Sequence, residues 1–185
     1  MKKEKLLVIG GVAAGAKTAA KARRENQNLD ITILSNEDVI SYAGCGLPYY
    51  IGGVIETEEA LKIVKAESFE TTRKIKVELN TEAFGILPET KTVEAVDMLT
   101  GEKKKYSYDT LVIATGALPL KLPLPGADLD GIYTLRTIKD SNRIKEKALQ
   151  AASRKGSALV IGSGFIGIET AENFVEMGLD TVIVE

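Results

Sequence analysis

The sequence predicts an α/β chain in which two units of parallel sheet flank a short antiparallel meander. Three observations lead there. An apolar run without alternation, Lys5 to Gly10, runs into a glycine-rich turn and an Ala-rich stretch tipped with Lys and Arg, Ala16 to Glu25. The same order recurs near the other end, where Ser157 to Ile161 leads into a second glycine turn. Between them lie short strand-like runs separated by turn residues. Unbroken apolar runs of this length are expected of parallel strands covered on both faces.

Taken in order, Lys5 to Gly10 reads as a strand, Ala16 to Glu25 as a helix and Asp30 to Leu34 as the strand that completes a βαβ unit. Two helices are expected over Glu58 to Val64 and Glu67 to Lys74. Ala83 to Leu87, Thr92 to Asp97, Lys104 to Ser107 and Thr110 to Ile113 read as strands of one antiparallel meander, with Pro-Glu-Thr and Thr-Gly-Glu turns between them. After Gly126 a loop leads to Ile138 to Ala152, a polar amphipathic helix expected to link the two units. Ser157 to Ile161, Ile168 to Met177 and Thr181 to Glu185 then spell a second strand, helix and strand.

Composition narrows the functional classes. With 44% hydrophobic residues among 185, the chain has enough apolar material for a buried core. Its 24 Lys plus Arg stand against 26 Asp plus Glu, with no basic block, so nucleic acid binding is not expected. The apolar stretch Leu6 to Ala14 is far shorter than the roughly 20 residues of a membrane crossing and has no signal-peptide flank. No membrane partner and a cytoplasmic location are expected. One cysteine, Cys45, and no histidine leave no disulfide framework and no material for a metal site.

The glycine turns carry the first chemical signal. A strand, a glycine turn and a helix start converge backbone N–H groups and the positive helix end on one point, which suits a pyrophosphate. Gly162, Gly164 and Gly167 fit G-x-G-x-x-G, with Phe165 and Ile166 inside it. Glu185 ends the next strand, where a carboxylate accepts ribose hydroxyls and repels a 2′-phosphate, so NADH is expected over NADPH. The first turn, Gly10, Gly11, Val12, Ala13, Ala14 and Gly15, keeps its outer glycines but has Val12 at the middle position. Ser35 and Asn36 stand where its ribose acid is expected, with Glu37 and Asp38 next. Both units are therefore Rossmann-like. A doubly wound domain needs more strands than the second unit has before Glu185, so these residues are expected to be the N-terminal part of a longer protein.

Ser41 to Gly53 follows the second strand of the first unit, where ligand-facing loops of an open α/β sheet gather. Small residues flank Cys45, and Leu47 to Ile51 can start a short helix with Pro48 in its first turn. A thiol at such a position is expected to be a better nucleophile than a buried structural cysteine.

Val8 to Gly15, Ser41 to Gly53, Tyr108 to Pro119, Gly131 to Thr137 and Val160 to Glu172 together resemble the FAD-dependent pyridine nucleotide-disulfide oxidoreductases. The match is to their single-cysteine branch. That resemblance implies a Rossmann-like FAD-binding domain with an antiparallel β-meander over residues 1–119, a connector over 120–153 and the first βαβ of an NAD(H)-binding domain over 154–185. It adds Ala83 and the stretch Ala114, Thr115 and Gly116 to the FAD contacts. Electrons would pass from NADH through FAD to a disulfide on Cys45. Branch members that handle oxygen or peroxide resemble one another in a His inside the first glycine loop; Ala13 stands there, so the loop is more like the coenzyme A disulfide and persulfide reductases. Ser41 and the pair Arg23 and Arg24 match substrate positions of that type, whereas Gly44 stands where it has an Asn. The implied substrate is coenzyme A disulfide or a related small disulfide, polysulfide or persulfide. The alternatives are an NADH oxidase or peroxidase, and a rubredoxin-reductase-like carrier with Cys45 idle. A homodimer is implied for the whole protein, and the 185 residues alone are expected to be inactive and to hold FAD poorly.

Overall fold

The computed structural model describes residues 3–121 and 123–185, and its packing divides the chain into two units. The first extends to Tyr42 and resumes over Lys62–Gly116; the second comprises Ala43–Leu61 and Ala117–Glu185.

In the first unit β1 (Lys5–Ile9) lies between β2 (Asp30–Leu34) and β7 (Thr110–Ile113), with β3 (Lys76–Glu78) outside β2, and every pairing is parallel. Helix α1 (Ala14–Glu25) makes the crossover from β1 to β2. The unbroken apolar run of β1 is explained by its two neighbours in the third dimension. Leu6 and Val8 pack with Ala16, Ala19 and Ala20 of α1, with Ile31 and Ile33 of β2, and with Phe69 of α4 (Ala66–Arg73). Leu7 and Ile9 point the other way, onto Val93 and Ala95. Those two belong to β5 (Thr92–Asp97), the middle strand of an antiparallel sheet with β4 (Thr81–Leu87) and β6 (Lys103–Ser107).

Two strand expectations need correction. Thr110–Ile113 is not part of the meander: it runs parallel to β1, with Leu6 opposite Thr110 and Ile9 opposite Ile113. Its Val112 joins the helix-side core and Leu111 the meander-side core, so β7 serves the layer that β1 serves. Lys76–Glu78 is a strand that the sequence does not announce. One apolar residue between two charged ones has no period to read, and only pairing with Thr32–Leu34 makes it extended.

In the second unit β8 (Ser157–Ile161) and β9 (Asp180–Val184) form a parallel pair joined through α6 (Phe165–Glu176). Helix α5 (Ile138–Ala152) starts from a capping box in which Thr137 and Asp140 satisfy each other's backbone N–H groups. It is a member of this unit, packed on β8 and on α2 (Leu47–Ile51), and not a free link. Ala43–Leu61, which the sequence attaches to the first domain, also packs here; it includes α2 and α3 (Glu58–Leu61). Among the described residues no helix is long and apolar enough to cross a membrane.

Candidate active site

The two glycine turns are built alike. Gly10 has φ +108° and Gly162 φ +105°, a conformation that side chains with a Cβ rarely adopt. A Cβ on Gly15 would lie 1.9 Å from the Gly10 carbonyl oxygen, and one on Gly167 would lie 2.0 Å from that of Gly162. Each turn therefore closes on its own helix start through a glycine. At Gly10 a Cβ would also meet the Ala114 carbonyl oxygen at 2.1 Å, and the Ala114 N–H donates to Ile9 at 2.8 Å. The stretch Ala114, Thr115 and Gly116 thus lies directly beside the first turn.

Neither helix start is capped. No side chain accepts from the first turn of α1 at Ala13 or of α6 at Gly164, whereas α5 carries its capping box. A helix start leaves four N–H groups without intrahelical partners, so an uncapped one facing solvent offers donors to an anion. Ala13 and Ala14 are exposed and Val12 is half-buried, and in the other turn Gly164, Phe165 and Ile166 are exposed. Val12 stands where the second turn has Gly164, and α1 begins one residue later in its turn than α6 does.

The residues after β2 divide in role. Ser35 is buried, and its hydroxyl accepts from the Glu37 N–H at 3.3 Å while its carbonyl accepts from Thr81. It shapes the turn. Asn36 is exposed, and the Glu37 carboxylate accepts from the Tyr42 hydroxyl at 3.2 Å. Ala83 lies half-buried in β4 against the core of Leu7, Ile9 and Leu34. In the second unit Glu185 bends back onto its own turn. One carboxylate oxygen accepts from both the N–H and the hydroxyl of Ser163 at 2.6 Å, and these bonds hold its carboxyl below the usual carboxylate range.

The expectation for Arg23 needs correction. Its guanidinium is buried and spends four of its five N–H donors on backbone carbonyls, those of Gln27, Leu29, Arg73 and Lys74, at 2.8–3.0 Å. The last two are carbonyls at the C-terminal end of α4, which no helical N–H can reach. Arg23 therefore fastens the end of α1 to the end of α4, and of the expected basic pair only Arg24 is exposed. Arg23→Lys is expected to cost about 3 kcal/mol, because an ammonium cannot serve four carbonyls in the guanidinium's plane. Urea unfolding measures it; an unchanged midpoint would return Arg23 to the surface role.

Cys45 is exposed, in a single 3-10 turn, Gly44–Gly46, that runs straight into α2. Leu47, Pro48 and Ile51 bury one side of α2. On another side, the Tyr50 hydroxyl donates to Asn142 Oδ1 at 2.8 Å. The Glu169 carboxylate, then burial and Glu172, hold the Tyr49 phenol above its ordinary pKa. Sequence inspection misses Tyr49, Tyr50 and Asn142. Asn142 lies 92 residues from Tyr50, and no local period joins them. Ser41 adopts φ +52°; its N–H donates to the Gly11 carbonyl at 2.9 Å, tying the cysteine-proximal loop of the first unit to the first glycine turn.

Two strand, glycine-turn and helix units define a nucleotide-binding α/β fold. Residues 4–185 match the family described as pyridine nucleotide-disulphide oxidoreductase, and the chain belongs to it. The members of this family are FAD-dependent enzymes that also use NAD(H). The chain is 35% identical over 180 residues to coenzyme A disulfide reductase of Staphylococcus haemolyticus, covering 97% of this chain and 40% of the relative. It is 33% identical over 179 residues to NADH oxidase of Methanocaldococcus jannaschii, covering 97% of this chain and 39% of that one. The solved NAD-dependent persulfide reductase from A. fulgidus superposes with a TM-score of 0.90 at 36% identity, over 97% of this chain and 33% of the other. The chain thus spans about 40% of the length of the curated relatives it matches.

Proposed function

We propose that the protein containing these residues is an NADH-dependent flavoprotein that reduces coenzyme A disulfide, or a related small disulfide, polysulfide or persulfide, through Cys45. The observation that carries this reading is the placement of the chain's only thiol, exposed in a glycine-flanked turn where a bulky disulfide can approach it.

The glycine turns fit the cofactors of the family, since each closes tightly on a helix start that no side chain caps. Gly10 to Gly15, Asn36, Glu37, Ala83 and Ala114 to Gly116 are the FAD contacts, and Gly162 to Gly167 with Glu185 the NADH contacts. The Ser163 bonds keep Glu185 ionised into mildly acidic solution, so that a 2′-phosphate there meets a negative charge. Bound FAD and NADH supply the electron pair that returns Cys45 to its thiolate. Cys45 itself does the sulfur chemistry: its thiolate attacks one sulfur of the substrate, a Cys45–substrate S–S bond forms, the substrate S–S bond breaks and one thiolate leaves. Arg24 and Ser41 are the residues of this chain assigned to the anionic part of the substrate. The whole protein is a homodimer in this reading.

The assignment is checked by following NADH oxidation by the full-length protein with different acceptors. With coenzyme A disulfide under nitrogen, turnover is expected to exceed the rate in air without disulfide by about 10-fold or more. A faster reaction with oxygen would make the protein an oxidase, and a reaction with rubredoxin alone would make it an electron carrier.

A further inference from the structure

We propose that Tyr50 is a positioning residue for Cys45, which together with Gly52 yokes the short helix that follows the thiol to two different helices. The inference rests on the reading of Cys45 as the reacting thiol. It starts from a weakness of the local chain. Cys45 stands between two glycines; a Cβ at Gly44 would meet nothing within 4 Å, while the buried Gly46 packs against the Ile55 and Leu61 side chains, so the turn is held only on its α2 side. The helix α2 has five residues, too few to hold its own shape in water. Where Cys45 sits is therefore decided by what grips α2.

The grip is made at two nearby residues, Tyr50 and Gly52. Tyr50 donates to Asn142 of α5 at 2.8 Å, and the Asn142 amide is itself oriented by donating to Glu58 of α3 at 2.9 Å. The Lys145 ammonium lies 3.9 Å from the centre of the Tyr50 ring, which fixes the ring from its face. At the far end of α2 a Cβ on Gly52 would come 1.9 Å from Asn173 Oδ1, so the buried Asn173 of α6 presses directly on the backbone there. Thiol–disulfide exchange needs the attacking sulfur held at a defined approach, and displacement by about 1 Å is costly. A yoke of one hydroxyl bond and one backbone contact supplies that constraint without covering the thiol.

The test labels Cys45, the only thiol of these 185 residues. A methanethiosulfonate nitroxide attached to Cys45 reports local motion by electron paramagnetic resonance. Tyr50→Phe removes one oxygen atom and is expected to shorten the rotational correlation time of that label by about threefold or more. A nitroxide at Glu102→Cys, in a Cys45→Ser background, is expected to be unchanged by this substitution. An unchanged Cys45 label in Tyr50→Phe overturns the yoke. So does equal loosening at both label sites, which would mark general destabilisation. Gly52→Ala supplies a second variant that forces α2 away from Asn173; immobility of the label there also overturns the proposal. Label motion involves no turnover, so this result and the acceptor assay can fail separately.

Discussion

Cys45→Ser in the full-length protein is expected to lower NADH-dependent disulfide reduction by about 10³-fold or more while leaving reduction of the bound flavin by NADH intact. A serine hydroxyl is almost wholly protonated at neutral pH, where a cysteine already has some thiolate. The loss is also qualitative, since an oxygen at this position cannot form the S–S bond through which the substrate is held between steps. Because the sequence has no second cysteine, no other thiol of these residues can substitute. Stopped-flow absorbance separates flavin reduction from disulfide turnover. Retention of more than about a tenth of the turnover would remove Cys45 from the chemistry and favour the carrier reading.

Gly10→Ala is expected to be the most damaging single methyl group in the first unit. It incurs two penalties at once. The backbone stands at φ +108°, beyond the small left-handed region that non-glycine residues reach. The new Cβ would also lie 2.1 Å from the Ala114 carbonyl oxygen, a backbone atom that cannot rotate away. Relief requires the end of β7 to part from β1, breaking the Ala114 to Ile9 hydrogen bond beside the paired Ile9 and Ile113. Together these are expected to cost about 3 kcal/mol or more, a fall in melting temperature of about 6–12 °C. Gly162→Ala provides the control. Its φ is nearly the same, +105°, but nothing lies within 4 Å of the added methyl. It carries only the backbone term, about 1–3 kcal/mol. Equal melting temperatures for the two variants would show that the Ala114 contact contributes nothing.

Much of this architecture is legible residue by residue. The run Leu6 to Ile9 reads as a strand covered on both faces because neither parity of its side chains is polar, and both faces are in fact covered. The βαβ pattern at each end follows from a strand period, a glycine turn and a helix period in the right order. Leu47 to Ile51 forms the short helix that Pro48 in its first turn announces. Other features leave no such trace. Thr110 to Ile113 reads as a strand, but its composition suits a meander as well as a parallel sheet, and the choice was made by the vacant edge of β1. Arg23 looks like any basic residue at the end of an exposed helix until four carbonyls from two other turns converge on it.

From the amino acids alone came the two nucleotide turns, the solitary thiol between glycines and the helix that begins beside it, since each depends on backbone preferences and burial periods within a few residues. Tertiary structure alone decided that β7 returns to β1, that Ala43–Leu61 packs with the second unit, that Arg23 serves carbonyls rather than phosphates, and that Tyr50 finds Asn142. These are choices among distant partners that are nearly equivalent locally. They are settled when the chain closes and every buried donor and acceptor must be matched at once.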